Sequence, residues 1–194
     1  GLRPAVFLDR DGTVNVERSY ITRPEDIHLI PHAATAIGSL KAAGYAVVLV
    51  TNQAAVARGL LTEVELGGIH KHLESLLSCS GVFLDAIYYC PHHSQFPSSS
   101  SDPECSCRKP SPGMILQAAR DLDLDLGKSF MVGDSLSDLQ AGWSAGCRAA
   151  LVLTGHGERT HLEASDEDLR RVDLIAESLS NVGEWICGLQ PSIP

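Results

Sequence analysis

Short apolar segments alternate with amphipathic segments along the whole chain. The apolar segments have the length of strands and are rich in β-branched and aromatic residues, as strands buried on both faces are. They lie at residues 5–8, 46–50, 84–89, 130–132 and 149–153. Segments with helical periodicity lie between them, at residues 33–43, 62–77, 112–122 and 137–145. This order predicts a three-layer, Rossmann-like α/β fold, with a parallel sheet flanked by helices on both faces.

Residues at the expected helix ends support these boundaries. Thr62 and Glu65 have the spacing of a capping box at the start of the second helix. Pro112 is expected in the first turn of the third helix, where its missing N–H costs little. Gly44 and Gly146 follow the first and fourth helices, where a glycine often ends a helix. The helices are therefore indicated by their ends as well as by their periodicity.

The rest of the chain fits the same fold. Residues 173–176 are expected to add an edge strand and residues 179–186 a short helix. The one low-complexity segment, PSSSS at residues 97–101, lies inside a cysteine-containing loop and is interpreted as an extension of that loop. No internal repeat interrupts the pattern. We therefore expect residues 1–194 to form one domain.

The residues that follow each strand are candidates for function, because open parallel sheets bind ligands beyond the carboxyl ends of their strands. After the first four strands these residues are polar or ionisable. They are Asp9-Arg10-Asp11-Gly12-Thr13, Thr51-Asn52-Gln53, Cys90-Pro91-His92 and Gly133-Asp134-Ser135. The fifth strand, at residues 149–153, is followed by no comparable set. The sequence therefore predicts a functional site shared by four strand ends.

Asp9, Asp11 and Asp134 form a set of carboxylates at these strand ends. Asp9 and Asp11 are two residues apart, so their side chains point the same way and repel each other unless a cation neutralises them. Carboxylate oxygens favour Mg²⁺, which keeps positions free for a phosphate. A carboxylate neutralised by a metal can itself attack phosphorus. Asp138, four residues after Asp134, is expected either to orient the metal site or to solvate the start of a helix.

A second metal site is predicted in the loop after the third strand. Cys90, His92, Cys105 and Cys107 supply three thiolates and one imidazole, the ligand set of a structural Zn²⁺. The segment between them is polar and rich in serine, so a metal would give it the order that burial cannot. His93 competes with His92 as the ligand, and the spacing from Cys90 favours His92. The remaining cysteines lie in apolar segments and are expected to be ordinary buried thiols: Cys79, Cys147 and Cys187.

These motifs resemble the four motifs of the haloacid dehalogenase (HAD) phosphatases, and they occur in the same order. Asp9-Arg10-Asp11-Gly12-Thr13 resembles the first motif, DxDGT. Thr51 resembles the second motif and Lys109 the third. Gly133-Asp134, together with Asp138, resembles the fourth. The match therefore extends over most of the chain.

The resemblance implies a role for each of these residues. Asp9 would be the nucleophile, and Asp11 the general acid and then the general base. Asp9, Asp134 and the backbone carbonyl of Asp11 would bind the catalytic Mg²⁺. Thr51 and Lys109 would contact phosphate oxygens, which suits a hydroxyl donor and a point cation.

The cysteine–histidine loop narrows the resemblance to the heptose bisphosphate phosphatases. The matching segments are FLDRDGTVN at residues 7–15, TNQ at 51–53, ARG at 57–59, YYCPHH at 88–93, CSCRKP at 105–110 and PGM at 112–114. This resemblance implies removal of the C7 phosphate from D-glycero-D-manno-heptose 1,7-bisphosphate through an aspartyl-phosphate. Histidinol-phosphate phosphatases share the loop, so their activity, or that of another small-molecule phosphatase, is the alternative. A further alternative is a catalytically inactive binding module that is stabilised by zinc.

The resemblance also implies a set of substrate contacts. They are Glu17, Arg18, Ser19, Tyr20, Asn52, Gln53, Ala54, Arg108 and Ser135. The chain departs from the family pattern at Ala54-Ala55, where Ser-Gly is usual, and so lacks a hydroxyl group near the phosphate. Arg58 is expected either to reach a second phosphate or to lie in solvent. The intervals between the motifs are too short for a cap domain, so we expect an open, capless site.

Composition limits the partners of the protein. The chain has 15 basic and 24 acidic residues, a net charge of −9, and no basic cluster, which argues against nucleic acid and anionic membranes as partners. No apolar run approaches the roughly 20 residues of a membrane helix. Six cysteines without an export signal favour reduced thiols and metal ligands over disulfides. We therefore expect a cytoplasmic, monomeric enzyme acting on a small sugar phosphate.

Overall fold

The computed structural model describes residues 1–96 and 105–189, which form a six-stranded parallel sheet with helices on both faces. The strands are β1 (Ala5–Leu8), β2 (Ala46–Asn52), β3 (Ala86–Cys90), β4 (Phe130–Gly133), β5 (Arg148–Val152) and β6 (Leu174–Ala176). The helices of these residues are α1 (Ala33–Ala42), α2 (Ala54–Ala57), α3 (Glu63–Ser78), α4 (Gly113–Leu122), α5 (Leu136–Ser144), α6 (Gly157–Glu163), α7 (Asp166–Arg171) and α8 (Leu179–Gly188). The predicted loop extension at residues 97–101 lies outside the described residues.

The central strands are apolar at nearly every position because both of their faces are covered. All residues of β1 are buried, and so is β2 up to its last residue. Val6 of β1 lies beside Val47 of β2 on one side and beside Phe130 of β4 on the other. A continuous apolar run is typical of parallel strands covered on both faces. The predicted three-layer α/β fold is confirmed.

Most predicted element ends agree with the structure to within two residues. Thr62 and Glu65 form the expected capping box of α3, with each backbone N–H donating to the other's side chain at 3.2 Å and 3.1 Å. Gly44 and Gly146 have φ angles of 96° and 89°, the left-handed conformation that ends a helix. The expectation for Pro112 is wrong by one position. It is the residue before α4, not part of the first turn.

Three short helices, α2, α6 and α7, are absent from the sequence-based expectations. The sequences of α6 and α7 are GERTHLE and DEDLRR, each with a single leucine. A helix is recognised in sequence by its apolar stripe, and neither of these segments has one. Their positions are set by contacts with the rest of the fold, and α6 begins next to the carboxyl ends of the strands.

Each face of the sheet has its own apolar core. On one face, α1, α3 and α8 contribute Ile37, Leu73 and Ile186, which are fully buried. On the other face, α4 and α5 contribute Ile115 and Ala141. These two cores hold the strands between them, so the strand ends are placed rigidly at the edge of the sheet.

The strand order β3-β2-β1-β4-β5-β6 places the ends of β1 and β4 side by side at the sheet centre. The chain runs from β1 outward to β2 and β3, and then returns to β4 on the other side, which opens a crevice between the connections. Between β1 and β2 the chain contains only a short 3₁₀ turn, Pro24–Asp26, and α1, so no cap domain is inserted there. Among the described residues, no helix has the length and apolar character needed to cross a membrane.

Candidate active site

Lys109 lies at the centre of the crevice between two carboxylates. Its ammonium group donates to Asp9 Oδ1 at 2.8 Å, to Asp138 Oδ1 at 2.6 Å and to the backbone carbonyl of Val50 at 2.8 Å. Lys109 is only 4% exposed. Asp9 follows β1 directly, and its backbone N–H still donates to Val132 of β4 at 3.0 Å. The central pair of strands therefore fixes Asp9, and Asp9 and Asp138 together hold the lysine.

The carboxylates around Lys109 carry more negative charge than one lysine neutralises. Asp9, Asp134 and Asp138 each place an oxygen within 4.8 Å of the others. Burial, followed by the charge of Asp138, raises the pKa of Asp9 well above its usual value and the pKa of Asp134 to about 7. Burial alone would lower the pKa of Lys109, but Asp138 and Asp9 raise it. An oxygen-only set with uncompensated negative charge fits a hard divalent cation such as Mg²⁺.

The structure answers the question left open for Asp138. Its carboxylate is 1% exposed, so it does not solvate a helix start. One oxygen binds Lys109, and the other accepts hydrogen bonds from the backbone N–H of Ser135 at 3.1 Å and from its hydroxyl at 2.8 Å. These bonds complete a capping box at the start of α5. Asp138 therefore both caps the helix and orients the lysine.

The side chain of Asp11 lines the same crevice and accepts hydrogen bonds from four donor groups. Arg10 donates to Asp11 through Nε at 2.9 Å and Nη2 at 3.1 Å. Asn15 donates to the same carboxylate at 2.9 Å, and Gln53 at 3.2 Å. Burial would raise the pKa of Asp11, but the charge of Arg10 and these hydrogen bonds lower it. The carboxylate is therefore held in one orientation with both oxygens engaged.

The residues that end β2 position their neighbours. The hydroxyl of Thr51 accepts from the Gln53 amide at 2.8 Å, and Thr51 is almost fully buried. The Asn52 side chain donates to the backbone carbonyl of Lys109 at 3.1 Å and accepts from the backbone N–H of Lys109 at 3.0 Å. Asn52 therefore uses both ends of its amide to dock the Lys109 backbone against the sheet.

The loop between β5 and α6 belongs to the site, which corrects the expectation that the fifth strand ends without functional residues. The Thr154 hydroxyl donates to the carbonyl of Gly12 at 2.6 Å. The backbone N–H of His156 donates to Asp134 Oδ2 at 2.8 Å, and the Thr160 hydroxyl donates to the Asp134 carbonyl at 2.7 Å. Little in the sequence indicates that Thr154 and Gly155 belong to the site, because a hydroxyl residue beside a glycine is common in loops.

The crevice encloses a volume of about 310 Å³. Of the expected substrate contacts, those that line it are Glu17, Asn52, Arg108 and Ser135. The other expected contacts do not form its wall in the described part of the chain: Arg18, Ser19, Tyr20, Gln53 and Ala54. Two residues that the sequence did not suggest also line it, Ser137 and His156. His156 Nε2 lies 3.4 Å from Glu17 Oε1, so these two side chains meet at one rim.

Arg58 packs against two aromatic rings rather than lying free in solvent. The centre of its guanidinium group is 4.2 Å from the ring centroid of Phe96 and 5.4 Å from that of Tyr20. Tyr20 lies in the loop after β1, and Phe96 lies in the cysteine–histidine loop. Arg58 therefore joins two loops beside the crevice through cation–π contacts.

The four expected zinc ligands meet at the end of β3, with one atom of each within 4.8 Å of the others. Cys90 Sγ lies 2.9 Å from Cys107 Sγ and 3.7 Å from Cys105 Sγ. His92 Nδ1 lies 3.3 Å from Cys107 Sγ and 3.6 Å from Cys90 Sγ. His93 is outside the cluster and accepts from the backbone N–H of Gln95 at 3.1 Å. Three thiols and one imidazole around one point fit Zn²⁺.

The cluster is coupled to the crevice through the backbone. The Arg108 guanidinium donates to the His92 carbonyl at 3.2 Å, and the Gln53 N–H donates to the Cys90 carbonyl at 2.8 Å. Burial would raise the pKa of Cys105, but hydrogen bonds from the Arg108 backbone and from neighbouring thiols lower it to about 7, which favours a thiolate ligand.

The expectation for the remaining cysteines is correct only in part. Cys147 is buried, as expected for an ordinary core thiol. Cys79 is exposed and Cys187 is only partly buried. Both lie at or near the ends of helices, where the apolar pattern does not guarantee coverage.

Comparisons with known proteins agree with this geometry. A family model described as HAD-hydrolase-like matches residues 106–182. The D-glycero-beta-D-manno-heptose-1,7-bisphosphate 7-phosphatase of Photorhabdus laumondii is 41% identical over 96% of this chain and 97% of its own length. The D-glycero-D-manno-heptose-1,7-bisphosphate 7-phosphatase of Thermosynechococcus vestitus is 44% identical over 95% of this chain and 96% of its own length.

A solved structure gives the same result in three dimensions. The D,D-heptose 1,7-bisphosphate phosphatase from B. bronchiseptica, complexed with magnesium and phosphate, superimposes with a TM-score of 0.85 at 37% identity. The match covers 96% of this chain and 99% of that one. The carboxylate cluster lies at the neighbouring ends of β1 and β4. With this site and with relatives aligned over nearly the full length, the chain belongs to the haloacid dehalogenase family of hydrolases, in the group that contains the heptose bisphosphate phosphatases.

Proposed function

We propose that this protein is a Mg²⁺-dependent phosphomonoester hydrolase that removes the C7 phosphate of D-glycero-D-manno-heptose 1,7-bisphosphate. The observation that carries the proposal is Asp9, a buried carboxylate at the mouth of an open crevice, bound to Lys109 and next to Asp134. A carboxylate so placed has the surroundings of a nucleophile, because a cation neutralises it without blocking access from solvent. The substrate is inferred from the relatives, which are named as heptose-1,7-bisphosphate 7-phosphatases.

The reaction uses the residues of the crevice in two steps. In the first, an oxygen of Asp9 bonds to phosphorus as the bond from phosphorus to the C7 oxygen breaks. Asp11 passes a proton to that oxygen, and it must first take this proton up from solvent, because Arg10 and the hydrogen bonds around Asp11 favour its ionised form. In the second, Asp11 takes a proton from water, whose oxygen displaces the Asp9 carboxylate from phosphorus and releases inorganic phosphate. Lys109 holds Asp9 in place and offsets negative charge on the phosphoryl oxygens. Bound Mg²⁺ would supply further positive charge at Asp9, Asp134 and the Asp11 carbonyl.

We infer that Cys90, His92, Cys105 and Cys107 hold a structural Zn²⁺. The four ligands leave no open position, which distinguishes a structural zinc from a catalytic one. Zinc bound there would join the end of β3 to the segment that leads into Lys109. Its contribution is therefore to the position of the lysine and not to the chemical step.

The charges beside the crevice favour a substrate with a second phosphate. Arg108 lines the crevice, and Arg58 lies beside it against the rings of Tyr20 and Phe96. Two arginines beside an otherwise acidic site suit a second anionic group. Histidinol phosphate carries an ammonium group instead, which these arginines would repel. The sugar bisphosphate is therefore the better fit.

A phosphate-release assay tests this assignment. The substrates are the α and β anomers of the heptose bisphosphate, the corresponding heptose 7-phosphate and histidinol phosphate, with Asp9→Asn protein as the background control. We expect the highest kcat/KM for a heptose bisphosphate anomer and a loss of about tenfold or more without the C1 phosphate. A higher kcat/KM for histidinol phosphate would contradict the substrate, and equal release by Asp9→Asn would contradict the mechanism.

We also infer that residues 1–194 act as a single domain and that the protein is a cytoplasmic monomer without nucleic-acid or membrane partners. The net charge of −9 supports the last point. Light scattering during size-exclusion chromatography gives the oligomeric state directly.

A further inference from the structure

A buried arginine and a buried histidine lie behind Asp11 and have no part in the chemistry described above. Arg10, between the two aspartates of the first motif, is 0% exposed. Two of its nitrogens, Nε and Nη2, donate to Asp11, and the third, Nη1, lies 3.1 Å from His70 Nε2. His70 belongs to α3 and is 6% exposed. The guanidinium group therefore connects α3 to the carboxylate of Asp11.

The direction of the contact between Arg10 and His70 follows from their chemistry. A guanidinium group has donors only, so His70 Nε2 must be the acceptor and the ring proton must lie on Nδ1. Burial, and then the charge of Arg10, lowers the pKa of His70 to about 4, so the ring is neutral at ordinary pH. A neutral acceptor on a helix is a fixed partner for a planar donor group.

The contacts of Arg10 with Asp11 and His70 fix the orientation of the Asp11 carboxylate more than they change its charge. The bonds from Nε and Nη2 of Arg10 reach different oxygens of Asp11 and so form a bidentate pair, which restricts the orientation of the carboxylate. The bond from Nη1 to His70 stops the guanidinium group from rotating. Asn15 donates to one oxygen of the Asp11 carboxylate and Gln53 to the other. Without His70, Arg10 would keep a buried N–H without an acceptor, and the carboxylate would lose the rigidity of its main donor.

We propose that His70 is a positioning residue for proton transfer, which acts through Arg10 to hold the Asp11 carboxyl group in line with the leaving oxygen. The inference rests on the proposed role of Asp11 as general acid. Its consequence is specific: loss of His70 slows the departure of an alkoxide, which needs a proton, and spares the departure of p-nitrophenolate, which does not. A residue that only packs the core would affect both substrates equally.

Variants of His70 separate the two roles. His70→Leu removes the acceptor and keeps an apolar side chain in the core, whereas His70→Gln keeps an acceptor. His72→Leu, the same change at a less buried position of α3, is the control. The assay measures kcat/KM for the heptose bisphosphate and for p-nitrophenyl phosphate, together with the melting temperature of each protein.

We expect His70→Leu to lower kcat/KM for the sugar phosphate about 10- to 100-fold and for p-nitrophenyl phosphate less than about threefold. His70→Gln recovers most of the loss, and His72→Leu resembles wild type. An equal loss on both substrates, or no loss on either, would overturn the inference. Asp11→Asn is measured in parallel: if it shows no preference for the better leaving group, the role of Asp11 itself fails rather than that of His70.

A measurement on the unmodified protein covers the case in which His70→Leu does not fold. In ¹⁵N spectra of the labelled wild-type enzyme, His70 should show a protonated Nδ1 and an unprotonated, hydrogen-bonded Nε2 that do not titrate between about pH 5.5 and 8. A proton on Nε2, or an ordinary titration near the usual pKa of histidine, would rule out the contact with Arg10.

Discussion

The strongest charge interactions of the site are those between Lys109 and the two carboxylates that it contacts, Asp9 and Asp138. The pKa of Asp9 is raised because burial and the charge of Asp138 oppose its ionised form. Lys109 is the contact that favours the ionised form. The same lysine is kept charged by both carboxylates. The protonation state of Asp9 is therefore set jointly by Asp9, Lys109 and Asp138 and not by any one side chain.

Replacement of the nucleophile tests this triad. Asp9→Asn keeps the shape of the side chain and removes its charge, so we expect turnover to fall by at least about three orders of magnitude. The melting temperature should stay unchanged or rise, because the substitution relieves repulsion while Lys109 keeps Asp138 and the Val50 carbonyl. Steady-state kinetics and thermal denaturation measure both effects. Activity within tenfold of wild type would exclude a covalent role for Asp9.

Two connecting segments, neither of them a regular element, hold the motifs together. The loop between β5 and α6 binds Asp134 through the backbone of His156 and binds the first motif through Thr154. Thr160 of α6 adds a further hydrogen bond to Asp134. The cysteine–histidine cluster holds the segment leading into Lys109 against the end of β3. Loops positioned by a rigid sheet therefore supply the fine geometry of the site.

Gly155 is the position at which the first of these loops is most sensitive. It has a φ of +58°, and a Cβ there would collide with the Asp134 carboxylate and approach the Gly12 Cα to 2.6 Å. Gly155→Ala should therefore weaken Mg²⁺ affinity and kcat about tenfold or more. Gly146→Ala is the matched control, since Gly146 also has a positive φ, +89°, but open space around it. The positive φ should cost each variant about 1 kcal/mol of stability, and Gly155→Ala should lose more because of the collision. Equal Mg²⁺ affinity of the two variants in a calorimetric titration would contradict the prediction.

Replacement of Cys107 tests the zinc cluster as a unit. Serine is a poor ligand, so Cys107→Ser should lose zinc, keep the sheet folded and raise KM, because Arg108 and Lys109 lose their fixed positions. Cys79→Ser, at an exposed cysteine outside the cluster, is the control. Elemental analysis and kinetics measure the two effects. Wild-type protein without about one equivalent of zinc would contradict the ligand assignment, and unchanged kinetics in zinc-free Cys107→Ser would leave the loop with a scaffolding role only.

Across the whole molecule, the sheet gathers negative charge at one point in a protein that is already acidic. The carboxylates of β1, β4 and α5 meet where the chain connections diverge, and no cap domain in the described residues covers them. Folding therefore brings together groups that repel one another until a cation binds. Metal binding and stability should be linked through the protonation of these carboxylates.

The stability of the metal-free protein should therefore fall as the pH rises. The pKa of Asp134 is raised from 3.8 to about 7, so between these values the folded state binds more protons than the unfolded state. The resulting stabilisation is present below the lower value and lost as the pH rises through the upper one. We expect the melting temperature to drop by a few degrees from about pH 5 to about pH 8 without metal, and Mg²⁺ to restore it most at the higher pH.

Asp134→Asn is the control for this prediction. The amide does not titrate, so the variant should show a weaker dependence of melting temperature on pH and little stabilisation by Mg²⁺. A melting temperature of the metal-free wild type that rises over the same interval would contradict the proposed protonation of the cluster.

The sequence by itself determined the α/β class, the positions of the six strands and of five of the eight helices in the described residues, and the residues at four strand ends. These features depend on local patterns: apolar runs for buried strands, periodicity and caps such as Thr62 and Glu65 for helices, and motif order for chemistry. The first motif could be recognised because its aspartates follow a strand directly. The carboxylate set and the cysteine–histidine set could also be recognised in the sequence, because each contains pairs of metal-ligating side chains at short spacings.

Only the tertiary structure decided what these residues contact. Local pattern cannot show that Asp138 binds Lys109, that Arg58 lies between Tyr20 and Phe96, or that the loop after β5 holds Asp134. The contact between Arg10 and His70 joins residues 60 positions apart in the chain. Such contacts arise where separate elements pack together, and their partners carry no signal in the neighbouring sequence. The sequence names the reactive groups, and the packing of the sheet and helices sets their orientation and their charge.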